Sequence, residues 1–410
     1  MHEDLVVRKR WISERRFLHA LNFCMLLPGP EAQQLATYLG WLMHRTWGGV
    51  IAGTLFVLPS LLILIGLSWL YMAHRETPVV AGLLWGIKPA VTAIVVSAAH
   101  RIGTRTLRGA ALWGIAIAAF ASSVAWATPF PLIVLCAAAI GFVGGRLSPG
   151  SFGVGDGHAE SAQTAAPAVI DDHSPPPAHT AFSWRRGLRV ALACLATWLS
   201  AMGTLIALFG WDGLLTQMAW FFTKAALMTF GGAYAVLPYV HQGAVEHFQW
   251  LSSAQMMDGL ALGETTPGPL IMVVSFVGFV GGWGQALFGP DALIQSGSVA
   301  ALVVTLFTFL PSFFFILVGG PFIESTHGKA HFTAPLTGLS AAVIGVILSL
   351  AAAFAQHVLW PTELQGGLDW PAALIGLGAA WALMRHQASV LAVVAASALS
   401  GLAWRLAQGL

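Results

Sequence analysis

Two proline–glycine–proline motifs interrupt otherwise apolar sequence, and they comprise Pro28, Gly29 and Pro30 in the first case and Pro267, Gly268 and Pro269 in the second. Proline lacks a backbone N–H and pushes the residue before it out of the α region, whereas glycine tolerates almost any backbone angle. Each motif therefore predicts a helix that stops and restarts as two half-helices. The restarting half presents unpaired N–H groups and the positive end of its dipole, which suits an anion. A simple proline kink is the alternative for each motif.

A third break is indicated by paired glycines inside the apolar stretch LMTFGGAYAVLPY, where the motif consists of Phe230, Gly231 and Gly232. Paired glycines at membrane depth either let helices approach closely or open a helix at a ligand.

Two charged residues within apolar segments are functional candidates because such residues are costly there. Lys88 could attract an anion as a compact point charge, and the alternatives are snorkelling to the interface or pairing with Glu31. Glu264 would repel an anion. Its expected role is therefore to carry a proton during transport or to neutralise a lysine.

The elements that must position these residues are membrane helices. Hydrophobic residues make up 57% of the 410 and charged residues 9%, and several apolar runs reach the ~20 residues that a spanning helix needs. These runs are 48–72, 79–99, 110–127, 130–147, 188–210, 299–320, 337–356 and 388–404, with 369–384 shorter. The fold class is an all-α, polytopic integral membrane protein.

A Gly-, Pro-, Ser- and Ala-rich segment, 148–184, lacks apolar periodicity and predicts a flexible cytoplasmic linker. It separates an N-terminal repeat, 1–147, from a C-terminal repeat, 185–410. With an offset of 239 residues the first PGP falls on the second, and with an offset of 252 the Leu-Pro-Ser stretch 58–60 falls on 310–312. Internal repeats are typical of secondary transporters, although a duplicated scaffold or membrane enzyme is the alternative.

The order FGG, WxS, PGP and LPS, duplicated around a linker, resembles the chromate ion transporter family in its long, two-domain form. The most specific stretches are LLPGPEAQQLATYLGWL and ETTPGPL, and the resemblance covers the chain except for the linker and the last ~50 residues. It implies export of chromate across the bacterial cytoplasmic membrane and resistance to chromate. The family also has an FGG-containing helix ahead of its first PGP, so the N-terminal repeat is expected to lack its first helix or to have a misplaced start.

Carried over by motif, the implied substrate-binding residues are the two PGP motifs, the FGG motif and the polar residues beside them, which are Gln33, Gln34, Glu264, Thr265 and Thr266. The two glutamines and two threonines are neutral donors suited to oxyanion oxygens, with helix–helix hydrogen bonding as the alternative for the glutamines. Arg10 and Trp11 match the basic–aromatic pair in the family's first loop.

The expected partners are chromate, or sulfate as another tetrahedral dianion, and the lipid bilayer. The sequence predicts no enzyme, cofactor, metal site or nucleic-acid partner, and it leaves a homodimer open. Five basic residues precede the first PGP motif, whereas the equivalent loop 240–255 contains no Lys or Arg. The positive-inside rule therefore places the two loops on opposite sides and predicts inverted repeats with re-entrant, broken helices.

Overall fold

The computed structural model describes residues 1–147, 168–171, 178–180, 182–230, 232–325, 333–360 and 367–409. Apart from one isolated bridge between Ile12 and Ile170, its regular structure is helical. The α-helices are α1 (Glu14–Leu26), α2 (Glu31–His74), α3 (Pro78–Thr106), α4 (Ala110–Trp126), α5 (Phe130–Leu147), α6 (Trp184–Phe209), α7 (Leu214–Leu227), α8 (Leu237–His241), α9 (Ser253–Thr265), α10 (Val273–Gly284), α11 (Leu293–Ser325), α12 (Thr333–Leu359), α13 (Trp370–Arg385) and α14 (Val390–Ala407).

Seven helical segments in the described part of the chain are long and apolar enough to cross a membrane. They coincide with the long apolar runs of the sequence, while α4 and α13 are slightly shorter at 17 and 16 residues. Large apolar side chains point outward from these helices: Trp126, Leu135 and Leu374 are each more than half exposed. A polytopic membrane protein exposes this kind of surface to lipid, and the expected all-α membrane fold is confirmed.

The helices after the linker repeat the pattern of those before it. Helices α1 to α5 recur as α9, the pair α10 and α11, α12, α13 and α14. Positive-φ residues other than glycine fall at equivalent turns, which are Arg10 and Gln249, Arg45 and Ala286, and Ala127 and Gln387. The last pair lies 260 residues apart, so the structural repeat continues through α13 and α14, where the sequence had shown no match.

Each PGP motif forms the turn of a helical hairpin. In the second half, a Cβ placed on Gly263 of α9 would lie 3.4 Å from Val273 Cβ, and one on Gly259 would lie 2.6 Å from Phe276 Cε1. Because the residue number falls along α9 as it rises along α10, the two half-helices run antiparallel from the turn. In the first half, α1 and α2 pack together on either side of the equivalent turn. The predicted breaks at both PGP motifs are present.

Helix α2 bends sharply after its first three turns and then continues as a spanning helix. His44 and Arg45 have non-helical backbone angles, and Gly40 packs directly against Gly48. The bend returns the chain alongside the first arm of α2, 31–43. The first PGP turn, at the start of that arm, therefore faces the middle of the long second arm, 46–74.

The long second arm of α2 packs against its repeat equivalent, α11. A Cβ on Gly49 would lie 3.0 Å from Leu317 Cδ2, and one on Gly53 would lie 2.5 Å from Phe313 Cε1. Four residues forward in α2 thus correspond to four residues backward in α11, so these equivalent helices run antiparallel. Packing elsewhere is reciprocal: α3 contacts α13 and α14, while its equivalent α12 contacts α4 and α5. In both cases a helix of one half packs against the last two helices of the other half.

Two short stretches of the linker depart from the expected flexible chain. Val169 N and Ile170 N donate to Arg10 O and Trp11 O, at 3.0 Å each, and Ser13 N donates to Ile170 O at 3.0 Å. Nearer α6, a ring nitrogen of His179 lies 3.0 Å from the Trp41 carbonyl oxygen. These stretches are therefore attached to the N-terminal half. The remainder of 148–184 up to Ala181 lies outside the described residues.

Candidate functional site

Each PGP turn meets the serine of the Leu-Pro-Ser motif in the opposite half. Ser60 Oγ donates a hydrogen bond to the Pro267 carbonyl oxygen. Reciprocally, Gly29 packs against Ser312, whose Cβ would be 3.6 Å from a Cβ placed on that glycine. Both serines lie near the middle of their spanning helices, so the two turns meet the long helices deep in the protein. Backbone of this kind survives at membrane depth only when it is covered by protein or lines a cavity.

The first PGP turn is closed. Gly29 is buried, with φ +121°, and its N–H donates to the Thr229 carbonyl oxygen at 2.8 Å. The Pro28 carbonyl oxygen accepts from Gln34 Nε2 at 2.8 Å. The polar backbone of this turn is thus satisfied by the protein itself.

The second PGP turn is open. Pro267 and Gly268 are exposed, and Gly268 has φ +133°. Among the described residues, no backbone carbonyl accepts from the Gly268 N–H. The following 3-10 turn, Leu270–Met272, leads into α10. Because proline has no N–H, Gly268 supplies the backbone donor of the motif, and it lies ahead of the positive end of the helix dipole.

The FGG segment lies between the two turns. Thr229, just before it, contacts the first turn through Gly29, and Tyr234, just after it, donates to Glu264 Oε1 beside the second turn. Phe230 packs against the large buried cluster that the two halves share. Helix α7 ends at Leu227, as the paired glycines predict, and Gly232 has φ +115°. Gly231 lies outside the described residues.

The predicted neutral donors are occupied within their own hairpins. Gln33 Nε2 donates to Thr37 Oγ1 at 2.9 Å, and the Gln34 amide donates to the first turn as described above. Thr265 Oγ1 and Thr266 Oγ1 donate to the Leu262 and Gly263 carbonyl oxygens, at 3.0 Å each. Among the described residues, Oε1 of each glutamine is buried without a partner. The two threonine hydroxyls must rotate before they can donate to a bound anion, whereas each glutamine NH2 group keeps a second N–H.

Acidic side chains flank both turns. Glu31 begins α2 directly after the first PGP, and its Oε1 would lie 3.8 Å from a Cβ placed on Gly232. Glu264 accepts from Tyr234 and interacts electrostatically with Arg101. The equivalent of Glu31 after the second PGP is Leu270, so the second turn has no carboxylate at the start of its helix.

Lys88 belongs to a cluster that sequence reasoning missed. It interacts electrostatically with Asp258 rather than with Glu31, the partner considered from the sequence. Asp258 is 3% exposed and accepts from Tyr71 Oη at 2.9 Å through Oδ2, while its Oδ1 is buried without a partner in the described part of the chain. An acid in the apolar stretch MMDGLAL was a signal that could have identified it.

Arg10 and Trp11 lie away from the turns. Their carbonyl oxygens accept hydrogen bonds from Val169 and Ile170 of the linker, and Lys9 Nζ sits 4.7 Å from the centre of the Trp11 ring. In this structure the pair helps to attach the linker to the N-terminal half.

The PGP, FGG and Leu-Pro-Ser motifs thus converge from both halves on one buried region. Its exposed part carries the Gly268 N–H ahead of a helix N-terminus, and the charge of Arg101 acts on Glu264 beside the second turn. Such a site can bind a small anion through dipoles and hydrogen bonds without neutralising it by direct ion pairing.

Comparisons with known proteins agree with this chemistry. A family model described as "Chromate transporter" matches residues 1–142 and 216–402. A chromate transport protein of Pseudomonas aeruginosa is 32% identical over 98% of this chain and 86% of its own length. A chromate transport protein of Cupriavidus metallidurans is 28% identical over the same shares, and a probable chromate transport protein of Synechococcus elongatus is 26% identical over 98% of this chain and 89% of its own. No solved structure matches.

The matched ranges include both PGP turns, both Leu-Pro-Ser motifs and the FGG segment, and the spanning helices make the chain a multi-pass protein of the bacterial cell membrane. Membership of a family of transporters also argues against an enzyme. The chain belongs to the chromate transporter family.

Proposed function

We propose that this protein is a secondary transporter that exports chromate across the cytoplasmic membrane and thereby confers chromate resistance. The single observation that carries the proposal is the open second PGP turn, where Pro267 and Gly268 are exposed and the Gly268 N–H has no backbone acceptor among the described residues. The relatives, which are chromate transport proteins by name, supply the identity of the anion.

The second turn is the better anion site because of the residue directly after each motif. Glu31 places a carboxylate at the positive end of its helix, where it competes with an incoming anion. Leu270 leaves the equivalent position free of charge. We assign the primary chromate contact to the second turn, with Lys88 as a longer-range attraction.

The antiparallel packing of α2 and α11 supports an inverted repeat in the membrane. If both helices span the bilayer, equivalent elements cross it in opposite directions, and the PGP turns reach its middle from opposite faces. Rocking one half against the other around the turns would then open the anion site alternately to each side.

The membrane potential can drive this export. Moving one charge through ~100 mV is worth about 2.3 kcal/mol. A dianion leaving a negative cytoplasm therefore gains about 4.6 kcal/mol, which sustains a gradient of over a thousandfold without ATP. A proton carried by Glu264 would add the proton gradient as a second driving force.

Uptake of labelled chromate into inverted membrane vesicles tests the proposal, with sulfate as competitor. Uptake should require the protein and should stop when ionophores collapse the potential and the proton gradient. Leu270→Glu should weaken uptake by giving the second turn the carboxylate that the first turn has, and Leu270→Gln is the matched uncharged control. Uptake that ignores the ionophores would refute the driving force, and preferential uptake of sulfate would reassign the substrate.

A further inference from the structure

Ser60 and Ser312 occupy equivalent positions, 252 residues apart, and each directly follows a proline inside a long helix. Both serines are almost completely buried. Because proline has no N–H, the helix is weakened at this point and its backbone can adjust. Each half thus presents a buried hydroxyl, at a deformable place in a spanning helix, to the PGP turn of the other half.

The two serines are in different states. Ser60 Oγ donates to the Pro267 carbonyl oxygen of the second turn, and that turn is exposed. Among the described residues Ser312 Oγ has no hydrogen-bond partner, although it packs against Gly29 of the first turn, and that turn is buried. A buried hydroxyl without a partner costs the free energy of its lost hydration. A conformation that supplies an acceptor to Ser312 recovers this cost and is favoured to that extent.

The acceptor that the repeat predicts for Ser312 is the Pro28 carbonyl oxygen, the equivalent of the Pro267 carbonyl oxygen. It already accepts from Gln34, and a carbonyl oxygen has a second lone pair to offer. A modest movement of the first turn would therefore complete the bond.

We propose that Ser60 and Ser312 are positioning residues for the two PGP turns. Each serine hydrogen-bonds the turn of the opposite half while that turn is exposed, and only one of the two turns is exposed at a time. In the structure Ser60 holds the second turn open and Ser312 is released. In the opposite state Ser312 holds the first turn open and Ser60 is released. The role in transport rests on the proposed function, whereas the exchange of the two bonds does not.

Hydrogen exchange measured by mass spectrometry tests the exchange of bonds in the full-length protein without chromate. Ser60→Ala should favour the opposite state, so amides in 263–271 should exchange more slowly and those in 24–32 faster. Ser312→Ala should do the reverse. Loss of one such hydrogen bond predicts rate changes of roughly two- to tenfold. Ser68→Ala is the matched control, because Ser68 is a buried serine of α2, about two turns beyond Ser60, whose Oγ has no partner among the described residues.

A fixed contact predicts a different result. If Ser60 merely braces the second turn, Ser60→Ala should speed exchange in 263–271 and leave 24–32 unchanged, and Ser312→Ala should change neither peptide. Either result overturns the proposal. Ser312→Ala removes no hydrogen bond present in this structure, so the variant protein should fold. Its exchange rates therefore decide the question even if the Ser60→Ala protein fails to fold. Opposite exchange shifts in a protein that fails to take up chromate would support the alternation and refute only the substrate.

Discussion

Replacing Gly268 with alanine tests whether the second PGP turn requires its observed geometry. Its φ of +133° is a conformation that L side chains rarely adopt. The added Cβ would lie 2.9 Å from Ser60 Cβ and closer still to its Oγ, so the serine that holds the turn must move. The substitution therefore combines backbone strain with a steric clash at the proposed anion site.

The two contributions can be separated by Gly289→Ala. Gly289 has φ +94° and nothing within 4 Å of the position that a Cβ would take. Strain alone should cost about 1–3 kcal/mol, and overpacking at Gly268 should add about 1–3 kcal/mol. We expect Gly268→Ala to destabilise the protein by about 2–6 kcal/mol and the control by about 1–3 kcal/mol.

Thermal unfolding of the purified protein in detergent, followed by tryptophan fluorescence, measures the difference between the two variants. Vesicle uptake of chromate is the second readout, because the displaced turn should lose its aligned N–H groups. Gly268→Ala should unfold at a lower temperature than Gly289→Ala and should lose uptake, which the control should retain. Equal unfolding temperatures with uptake intact in both variants would show that the turn is not constrained as described.

Two further predictions concern charge and orientation. Lys88→Met should raise the half-saturating chromate concentration while leaving the protein folded and inserted, because it removes the positive charge proposed to attract the anion at longer range; unchanged transport would make Lys88 a structural partner of Asp258. After replacement of the native cysteines, single cysteines at Ser13 and Ser252, the equivalent N-caps of α1 and α9, should react with an impermeant reagent from opposite sides of the membrane. Reaction of both from one side would refute the inverted arrangement.

The breaks in the helices were predictable because proline and glycine act through local backbone chemistry. Pro28 and Pro267 interrupt their helices wherever the rest of the chain lies, and the structure has a turn at each. The repeat in α13 and α14 was not predictable from side chains, since apolar residues facing lipid can change freely. The backbone turns at Ala127 and Gln387 still correspond.

The partners of polar side chains were harder to predict because they depend on tertiary packing. Gln34 was expected to donate to an anion, yet it satisfies the carbonyl oxygen of its own PGP turn. Asp258 was overlooked in an apolar stretch, and its neighbours Tyr71 and Lys88 come from helices far away in sequence. Spacing along one helix contains no information about such neighbours.

The differences between the two halves bear on how strongly each PGP turn holds an anion. The scaffold is nearly symmetric, and two identical turns would hold an anion equally well in either orientation. Glu31 and Gln34 occupy the first hairpin, where Leu270 and Val273 stand in the second. The first turn therefore has a carboxylate at the start of its helix and its own donor. The second turn has Glu264 beside it, but its helix starts without a carboxylate and its Gly268 N–H has no backbone acceptor among the described residues. A carboxylate at the start of the first turn's helix would weaken anion binding there, so the two turns would hold an anion with unequal strength.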